Sequence, residues 1–213
     1  MNIPVSPALA DASVSRRSTP SRLALIVGGA LVLGAATLFG IQFYLGSGPA
    51  PIVVTNTSGA ATFNFRVTGI PVPGKIEGVK PNLTFSPNNL AAAKGSISLG
   101  LATLNTGIAL RDKHARNFLG VAEHPTAIFT LSKLNTATRI TPGQTLSGTA
   151  DGSLSLNGVS VPLKAPITLT EAADGSVIDV STAFNVTFTQ HNISIPGGDP
   201  QSDIKVFFKL PLK

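Results

Sequence analysis

The chain of 213 residues carries 16 Lys and Arg against 10 Asp and Glu, a formal net charge of +6, and is 43% hydrophobic with 12% charged residues. This composition excludes a wholly disordered chain, and the length favours one folded domain over a multidomain enzyme. Because Cys is absent, a disulfide framework, a thiolate metal site, a lipoprotein anchor and a cysteine nucleophile are excluded as well.

The N-terminal part of the sequence has the pattern of a membrane anchor. Residues 1–22, rich in Ser, Pro, Ala and Arg, are predicted to be a disordered cytoplasmic tail. Residues 23–45 are almost entirely apolar, and at about 1.5 Å per residue a helix of this length spans a hydrocarbon core of roughly 30 Å. Arginines precede this segment, so the positive-inside rule predicts a single-pass protein of the cytoplasmic membrane, with its N-terminus inside and its domain in the periplasm or extracellular space. A cleavable signal peptide, whose apolar region is usually about 7–15 residues, is the alternative.

Beyond a Gly, Ser and Pro-rich linker at 46–51, the sequence alternates between apolar and polar residues. This period of two predicts β-strands, and no segment shows a sustained helical period. We therefore predict one all-β domain at 52–213. The apolar positions that share a side of their strand include Phe63, Phe65 and Val67; Ile97 and Leu99; Phe129 and Leu131; Val161, Leu163, Ala165, Ile167 and Leu169; Ile178, Val180, Phe184, Val186 and Phe188; and Ile204, Val206, Phe208, Leu210 and Leu212.

Turn signals set the number and order of these strands. Asn157-Gly158 between two alternating runs predicts a tight antiparallel hairpin. With the other turns, the pattern indicates about eight strands in a sandwich or closed barrel. Residues 107–125 lack a strand pattern and are predicted to form a short helix or a long loop. Pro162 and Pro166 favour an edge strand or a bulge, because proline has no N–H for a ladder. Loops or edge strands are likewise predicted at Pro71, Pro73, Pro81 and Pro87.

Several motifs follow one another in a characteristic order: Thr106-Gly107, Arg111-Asp112-x-His114, Pro125 with Phe129, and a Gly-x-Leu-x-Leu-x-Gly-Val segment at 152–162. In this order the sequence resembles the YceI-like family. The resemblance implies a lipocalin-like antiparallel β-barrel, usually periplasmic, whose interior holds a polyisoprenoid chain such as a quinone tail or a polyprenyl lipid. It implies binding rather than catalysis.

The apolar side chains predicted to contact such a chain could equally pack as an ordinary core. An eight-stranded interior either fills with side chains or holds one small ligand, so the strand count leaves both possibilities open. The predicted lining residues are Phe63, Phe65, Val67, Leu99, Phe118, Phe129, Phe184, Val186, Phe188 and Phe208.

Four polar residues are candidates for contact with a lipid head group: Arg111, Asp112, His114 and His191. For Arg111 and Asp112, capping of a helix or pinning of a loop is the favoured reading, since Asp serves readily at helix starts. His191 matches the family segment that the resemblance places at the pocket. No metal site is predicted, because the three histidines lack the spacing of metal ligands and hydrogen-bonding loop histidines are commoner.

The sequence thus predicts non-catalytic binding of a polyisoprenoid or similar long-chain lipid, tethered to the membrane through residues 23–45, with no cofactor other than a bound lipid. Catalytic residues are not predicted, because the nucleophile elbow, the dinucleotide fingerprint and the phosphate loop are missing. Nucleic acid is not predicted as a partner, because the basic residues are spread singly, and protein partners stay open. The alternatives are a structural or interaction β-domain with a filled core and, less favoured, a lipid-modifying enzyme.

Overall fold

The computed structural model describes residues 50–213 of the chain. Within them lie ten strands, one α-helix and two short 3₁₀ helices, at Leu101–Thr103 and Phe188–His191. The predicted tail and the apolar segment 23–45 lie outside the described residues. The strands are β1 (Ile52–Val54), β2 (Gly59–Val67), β3 (Ile70–Glu77), β4 (Val79–Ser86), β5 (Asn89–Gly100), β6 (Thr126–Asn135), β7 (Thr145–Leu156), β8 (Val159–Glu171), β9 (Val177–Thr187) and β10 (Gln201–Pro211), and the helix α1 is Ala109–Phe118.

All ten strands belong to one antiparallel sheet in the order β1-β4-β5-β6-β7-β8-β9-β10-β2-β3, curled strongly into a half-barrel. The predicted all-β antiparallel class and the short helix within 107–125 are confirmed. The prediction of about eight strands in a lipocalin-like barrel is corrected to ten strands in a half-barrel. Three residues are too few for β1 to show a period, and prolines interrupt the alternation of β3 and β4, so these segments resembled loops.

At Gly78 the chain passes from one end of the strand order to a strand near the other end. β3 ends one residue before this glycine and β4 begins one residue after it, yet β3 is the last strand of the order and β4 is the second, next to the short β1. Gly78 has a φ of +79°, in the left-handed region that favours glycine. Its N–H donates to the carbonyl oxygen of Gly59 at 3.2 Å, which extends the β2–β3 ladder by one residue before the chain enters β4.

The hairpin predicted at Asn157-Gly158 is confirmed. Leu156 pairs with Val159, and the two residues between them have φ values of +49° and +72°. Two positive φ values in a two-residue loop define the type I′ turn, whose twist matches that of the flanking strands. The turn fixes the register of β7 on β8.

The β8–β9 ladder covers only part of β8. β9 pairs with β8 from Ile167 to Glu171 and not with the preceding residues, which include Pro162 and Pro166. β7 pairs with β8 past both prolines. Since proline offers no N–H, the unpaired half of β8 is the place where the two prolines are tolerated. The prediction of an edge position for them is confirmed for this half of the strand.

The inward side of the curled sheet carries two apolar clusters. One, at the end that bears α1, contains Leu101, Leu104, Leu156, Phe188 and Ile193, with Ala115 and Leu119 packed against it; we call this the helix end. The other surrounds Phe85, Leu90, Ile140, Ile178 and Leu210 at the far end. The predicted alternation of β2, β8, β9 and β10 points most of its apolar members to this interior, with Val67 and Val161 as exceptions.

The predicted localisation is corrected. No helix among residues 50–213 is long and apolar enough to cross a membrane, and α1 has ten residues. The single-pass placement depended on residues 23–45, which lie outside the described residues. Single-pass anchoring in the membrane is therefore not supported.

Candidate binding cavity

A cavity lies inside the curled sheet and extends along both apolar clusters. The centre of a water molecule could occupy about 240 Å³ of it, whereas about 10–15 Å³ on this measure is room for one water. Side chains from β2 to β10 form its wall, and Ala115 and Leu119 of α1 and the following turn cover the helix end. The interior is therefore not a filled core.

The lining of this cavity is almost wholly apolar. Its polar members are Thr62, Thr182 and Ser202, and among residues 50–213 no Asp, Glu, Lys, Arg or His lines it. The hydroxyl of Thr182 donates to the carbonyl oxygen of Pro166 at 2.7 Å, and that of Ser202 donates to Asn64 at 3.2 Å. Because these two hydroxyl protons are used by the backbone, the cavity suits an apolar chain far better than a polar molecule.

Eight of the ten predicted apolar residues line the cavity: Phe63, Phe65, Leu99, Phe129, Phe184, Val186, Phe188 and Phe208. The two others do not. Val67 ends β2 and bridges to Gly198, and Phe118 is 40% exposed on the outward side of α1. Ligand contact by any of the ten stays a prediction.

Two glycines that the sequence analysis missed give the phenylalanine rings their place. Gly74 pairs with Phe63, and a Cβ at Gly74 would lie 2.1 Å from the ring of that phenylalanine. A Cβ at Gly152 would lie 2.7 Å from the ring of Phe129. Each ring therefore occupies the space that a side chain at the glycine of the neighbouring strand would take. The signal in the sequence was a glycine inside an alternating strand, which often marks close approach of another group.

Arg111 and Asp112 bind the loop that precedes α1. The Asp112 carboxylate accepts hydrogen bonds from both the backbone N–H, at 2.7 Å, and the hydroxyl of Thr106. Arg111 donates through Nε to the Thr106 hydroxyl at 2.8 Å and through Nη2 to the Thr106 carbonyl oxygen. The hydrogen bonds from Thr106 lower the pKa of Asp112, with a further contribution from Arg116 and Arg111. These are the contacts expected of residues that hold a loop in place.

The predicted head-group histidines lie apart from each other. His191 is buried, with 2% of its surface exposed, and its Nδ1 lies 3.0 Å from the carbonyl oxygen of Val159. Asn157 donates to the His191 carbonyl oxygen at 3.1 Å. His114 is exposed on α1. Neither histidine, nor Arg111 or Asp112, lines the cavity, so their contact with a head group stays a prediction. Between residues 50 and 213 no three His, Asp or Glu side chains form a group that could hold a metal ion.

Sequence reasoning also missed Glu171, a buried carboxyl group at the far end. It ends β8 two residues after Leu169, on the inward side of the strand, and is 5% exposed. Its Oε2 has no hydrogen-bond partner. Burial raises the pKa of Glu171 above its usual value, because the charged form loses hydration without gaining a partner. An acidic residue at the inward parity of a strand was the signal.

Comparison with known proteins identifies the family. The YceI-like domain matches residues 53–211. A UPF0312 protein of Ectopseudomonas mendocina is 32% identical over 141 residues, which cover 63% of this chain and 67% of that protein. Protein YceI of Escherichia coli O157:H7 is 31% identical over 133 residues, covering 60% of this chain and 66% of the relative.

Two solved structures share the fold. The crystal structure of Burkholderia cenocepacia BcnA superposes with a TM-score of 0.59 at 15% identity, covering 72% of this chain and 96% of BcnA. A polyisoprenoid binding domain from Saccharophagus degradans, implicated in plant cell wall breakdown, superposes with a TM-score of 0.57 at 11% identity. The match covers 73% of this chain and 97% of that domain. The domain match over most of the chain, together with these relatives, shows that the chain belongs to the YceI-like family.

Proposed function

We propose that the protein binds a long apolar lipid chain of the polyisoprenoid class inside its half-barrel and does not transform it chemically. The observation that carries this proposal is the apolar cavity, whose volume is more than ten times that needed for one water. Burial of an apolar chain there is favourable by roughly 25 cal/mol per Å² removed from water.

The chain-like form of the ligand is supported by the shape of the cavity, which follows both clusters from the helix end to the far end. The isoprenoid class is supported by the fold shared with the polyisoprenoid binding domain from Saccharophagus degradans. Since the hydroxyls of Thr182 and Ser202 donate to the backbone, a polar head group finds no free donor from them. We expect the head group to stay near the helix end, where Arg111, Asp112, His114 and His191 are its candidate contacts.

Binding without catalysis is supported by the chemistry of the wall. Among residues 50–213 the lining offers no titratable side chain that could move a proton or act as a nucleophile. Glu171 is inward-facing but is not part of that lining.

The test is to purify the protein under native conditions from a bacterial host, extract it with organic solvent and identify the extract by mass spectrometry. We expect a stoichiometric isoprenoid lipid, or uptake of an added polyprenol or long-chain quinone by the emptied protein. Recovery of no lipid, together with no uptake of either compound in excess, would contradict the proposal and favour a structural β-domain.

A cavity-filling variant sharpens this test. Ala165 is buried and lines the cavity, so Ala165→Phe places a ring in the space assigned to the lipid. We expect its lipid content to fall by about tenfold, since the ring removes contacts between lipid and wall that contribute roughly 1–2 kcal/mol to binding. Ala183→Phe on the exposed side of β9 is the matched control and keeps its lipid. Equal lipid content in both variants would show that the ligand lies elsewhere.

A further inference from the structure

The helix α1 turns two of its large apolar side chains towards solvent. Leu110 is 63% exposed and Phe118 is 40% exposed, and Ile108, directly before the helix, is 53% exposed. Lys113 and His114 are also exposed. They follow Leu110 by three and four positions, and residues at this spacing share a side of a helix. An amphipathic helix on a protein surface normally turns such apolar residues inward.

The inward side of α1 already has its partners. Asp112 is bound to Thr106, and Ala115 lines the cavity. Packing on the half-barrel therefore does not account for the apolar residues that face outward. Exposed apolar side chains gathered on one short helix are a candidate interaction site.

The charge around these residues is positive. Lys113 is exposed, Arg111 and Arg116 are half-buried, and each of the two arginines donates to the loop at Leu104–Thr106. The single acid of the helix, Asp112, is buried and hydrogen-bonded. Glu123, in the turns after the helix, is the exposed acid nearest in sequence. A surface with apolar and cationic side chains interleaved complements an anionic lipid interface.

These exposed residues lie on the element that covers one end of the cavity. Ala115 of α1 and Leu119, just after it, line the cavity there. We propose that Ile108, Leu110, Lys113 and Phe118, here named the α1 face, dock the protein on the surface of an anionic lipid bilayer. The meaning of this contact rests on the proposed function, since docking brings the covered end of the cavity to the source of the lipid.

The experiment uses residues 50–213, which contain all ten strands of the sheet and its core. BcnA, which is matched over 96% of its length, shows that a chain of about this length forms this fold. Use of residues 50–213 also removes the apolar sequence 23–45 from the measurement. Partitioning onto vesicles is measured by flotation, with phosphatidylcholine alone and with phosphatidylglycerol mixed in. We expect binding to the anionic vesicles that weakens as salt is raised.

Three variants locate the contact. Leu110→Ser and Phe118→Ser are each expected to weaken partitioning by about tenfold, because each removes an apolar side chain from the interface. Lys113→Gln is expected to weaken it by about fivefold on anionic vesicles only. All three side chains are exposed, and thermal unfolding verifies that the variants fold as the parent does.

Two matched controls lie away from the helix. Phe207 is 43% exposed, and Lys209 lies 5.7 Å from its ring centroid, so Phe207→Ser removes an equally exposed phenylalanine with a basic neighbour. Lys133→Gln removes an exposed lysine of β6. Both controls are expected to partition like the parent. Absence of vesicle binding, or equal losses in the controls and the α1 variants, would overturn the docking proposal.

Lipid content measured on the same variants separates the two proposals. Retained lipid with no vesicle binding overturns docking and leaves the proposed function standing. Vesicle binding that depends on the α1 face, in a protein that never holds a lipid, supports docking and overturns the proposed function.

Discussion

Glu171 places a carboxyl group on the inward side of β8, at the far end of the half-barrel. Its carboxyl group is buried without a partner for Oε2, and burial raises its pKa. A carboxyl group whose folded pKa lies above its unfolded pKa contributes stability at low pH, and this contribution is lost as the pH rises through the folded pKa. Glu171→Gln cannot ionise, so we expect it to be more stable than the parent at neutral pH and similar to it near pH 4. The expected gain in Tm is roughly 2–4 °C, the shift that about 1 kcal/mol gives a domain of this size.

Glu77→Gln is the matched control in this pH series. Glu77 is exposed and lies 2.6 Å from the Lys75 ammonium group, and its pKa is lowered by the hydrogen bond and charge of Lys75. Its replacement is expected to bring no gain at neutral pH, since a lowered pKa contributes stability above the unfolded value. Thermal unfolding from about pH 4 to 8 measures both variants. A Glu171→Gln protein that is less stable than the parent at neutral pH would show that the carboxylate is needed.

At the scale of one element, the β7–β8 hairpin depends on the left-handed backbone of Gly158. A Cβ there would lie 2.7 Å from the ring of His124, in addition to the cost of its φ of +72°. We expect Gly158→Ala to lower the free energy of unfolding by more than the roughly 1–2 kcal/mol that a left-handed alanine costs. Denaturant unfolding measures this loss.

Gly143→Ala separates the two contributions. Gly143 has a φ of +79° and no atom within 4 Å of the position of a Cβ, so it carries the backbone cost alone. Removal of the His124 ring in a Gly158→Ala, His124→Ala double variant is expected to bring the loss down to that of Gly143→Ala. Equal losses in the two single variants would show that the histidine ring yields without cost.

Elements with a clear period were predictable from the sequence, and those without one were not. Alternation at Phe63 and Phe65, and the Asn157-Gly158 pair, led to the correct strand side and the correct turn. β1 has three residues. In β3 the prolines Pro71 and Pro73 occupy exposed positions, where a period of two calls for polar residues, and in β4 Pro81 occupies a buried position. α1 was predicted from the lack of a strand pattern, and its outward apolar side chains could not be predicted, since a helix in isolation does not reveal which side the sheet covers.

At the scale of the molecule, an open cavity and a filled core have the same sequence pattern, because both need apolar residues on the inward side. What separates them is where the rings lie, and that depends on contacts between strands. Phe63 lies against Gly74 and Phe129 against Gly152, so the two rings use space that side chains at these positions would fill. The lining was therefore predicted in large part, whereas the free volume was not.

This arrangement predicts that a side chain at Gly74 narrows the cavity. Gly74→Ala places a Cβ 2.1 Å from the present position of the Phe63 ring, and the ring has to swing into the interior. We expect lipid uptake to fall by about threefold to tenfold, for a loss of roughly 1 kcal/mol of chain contacts. Gly100→Ala, where a Cβ meets no atom within 4 Å, is the control and keeps full uptake. Unchanged uptake in Gly74→Ala would mean that the ligand does not reach Phe63.

The half of β8 that β9 leaves unpaired is an exposed strand edge, with a consequence for association between copies of the protein. An unpaired strand edge is a template on which a second chain can add a strand, and proline on such an edge prevents this by withholding N–H donors. Pro162 and Pro166 lie where β9 does not pair, so we expect Pro162→Thr, Pro166→Thr to promote association into dimers and larger aggregates, measured by light scattering. Pro87→Thr, in the turn between β4 and β5, adds no donor to a strand edge and should remain monodisperse. The two prolines that are tolerated where β9 leaves β8 would then also prevent strand addition by a second copy at that edge.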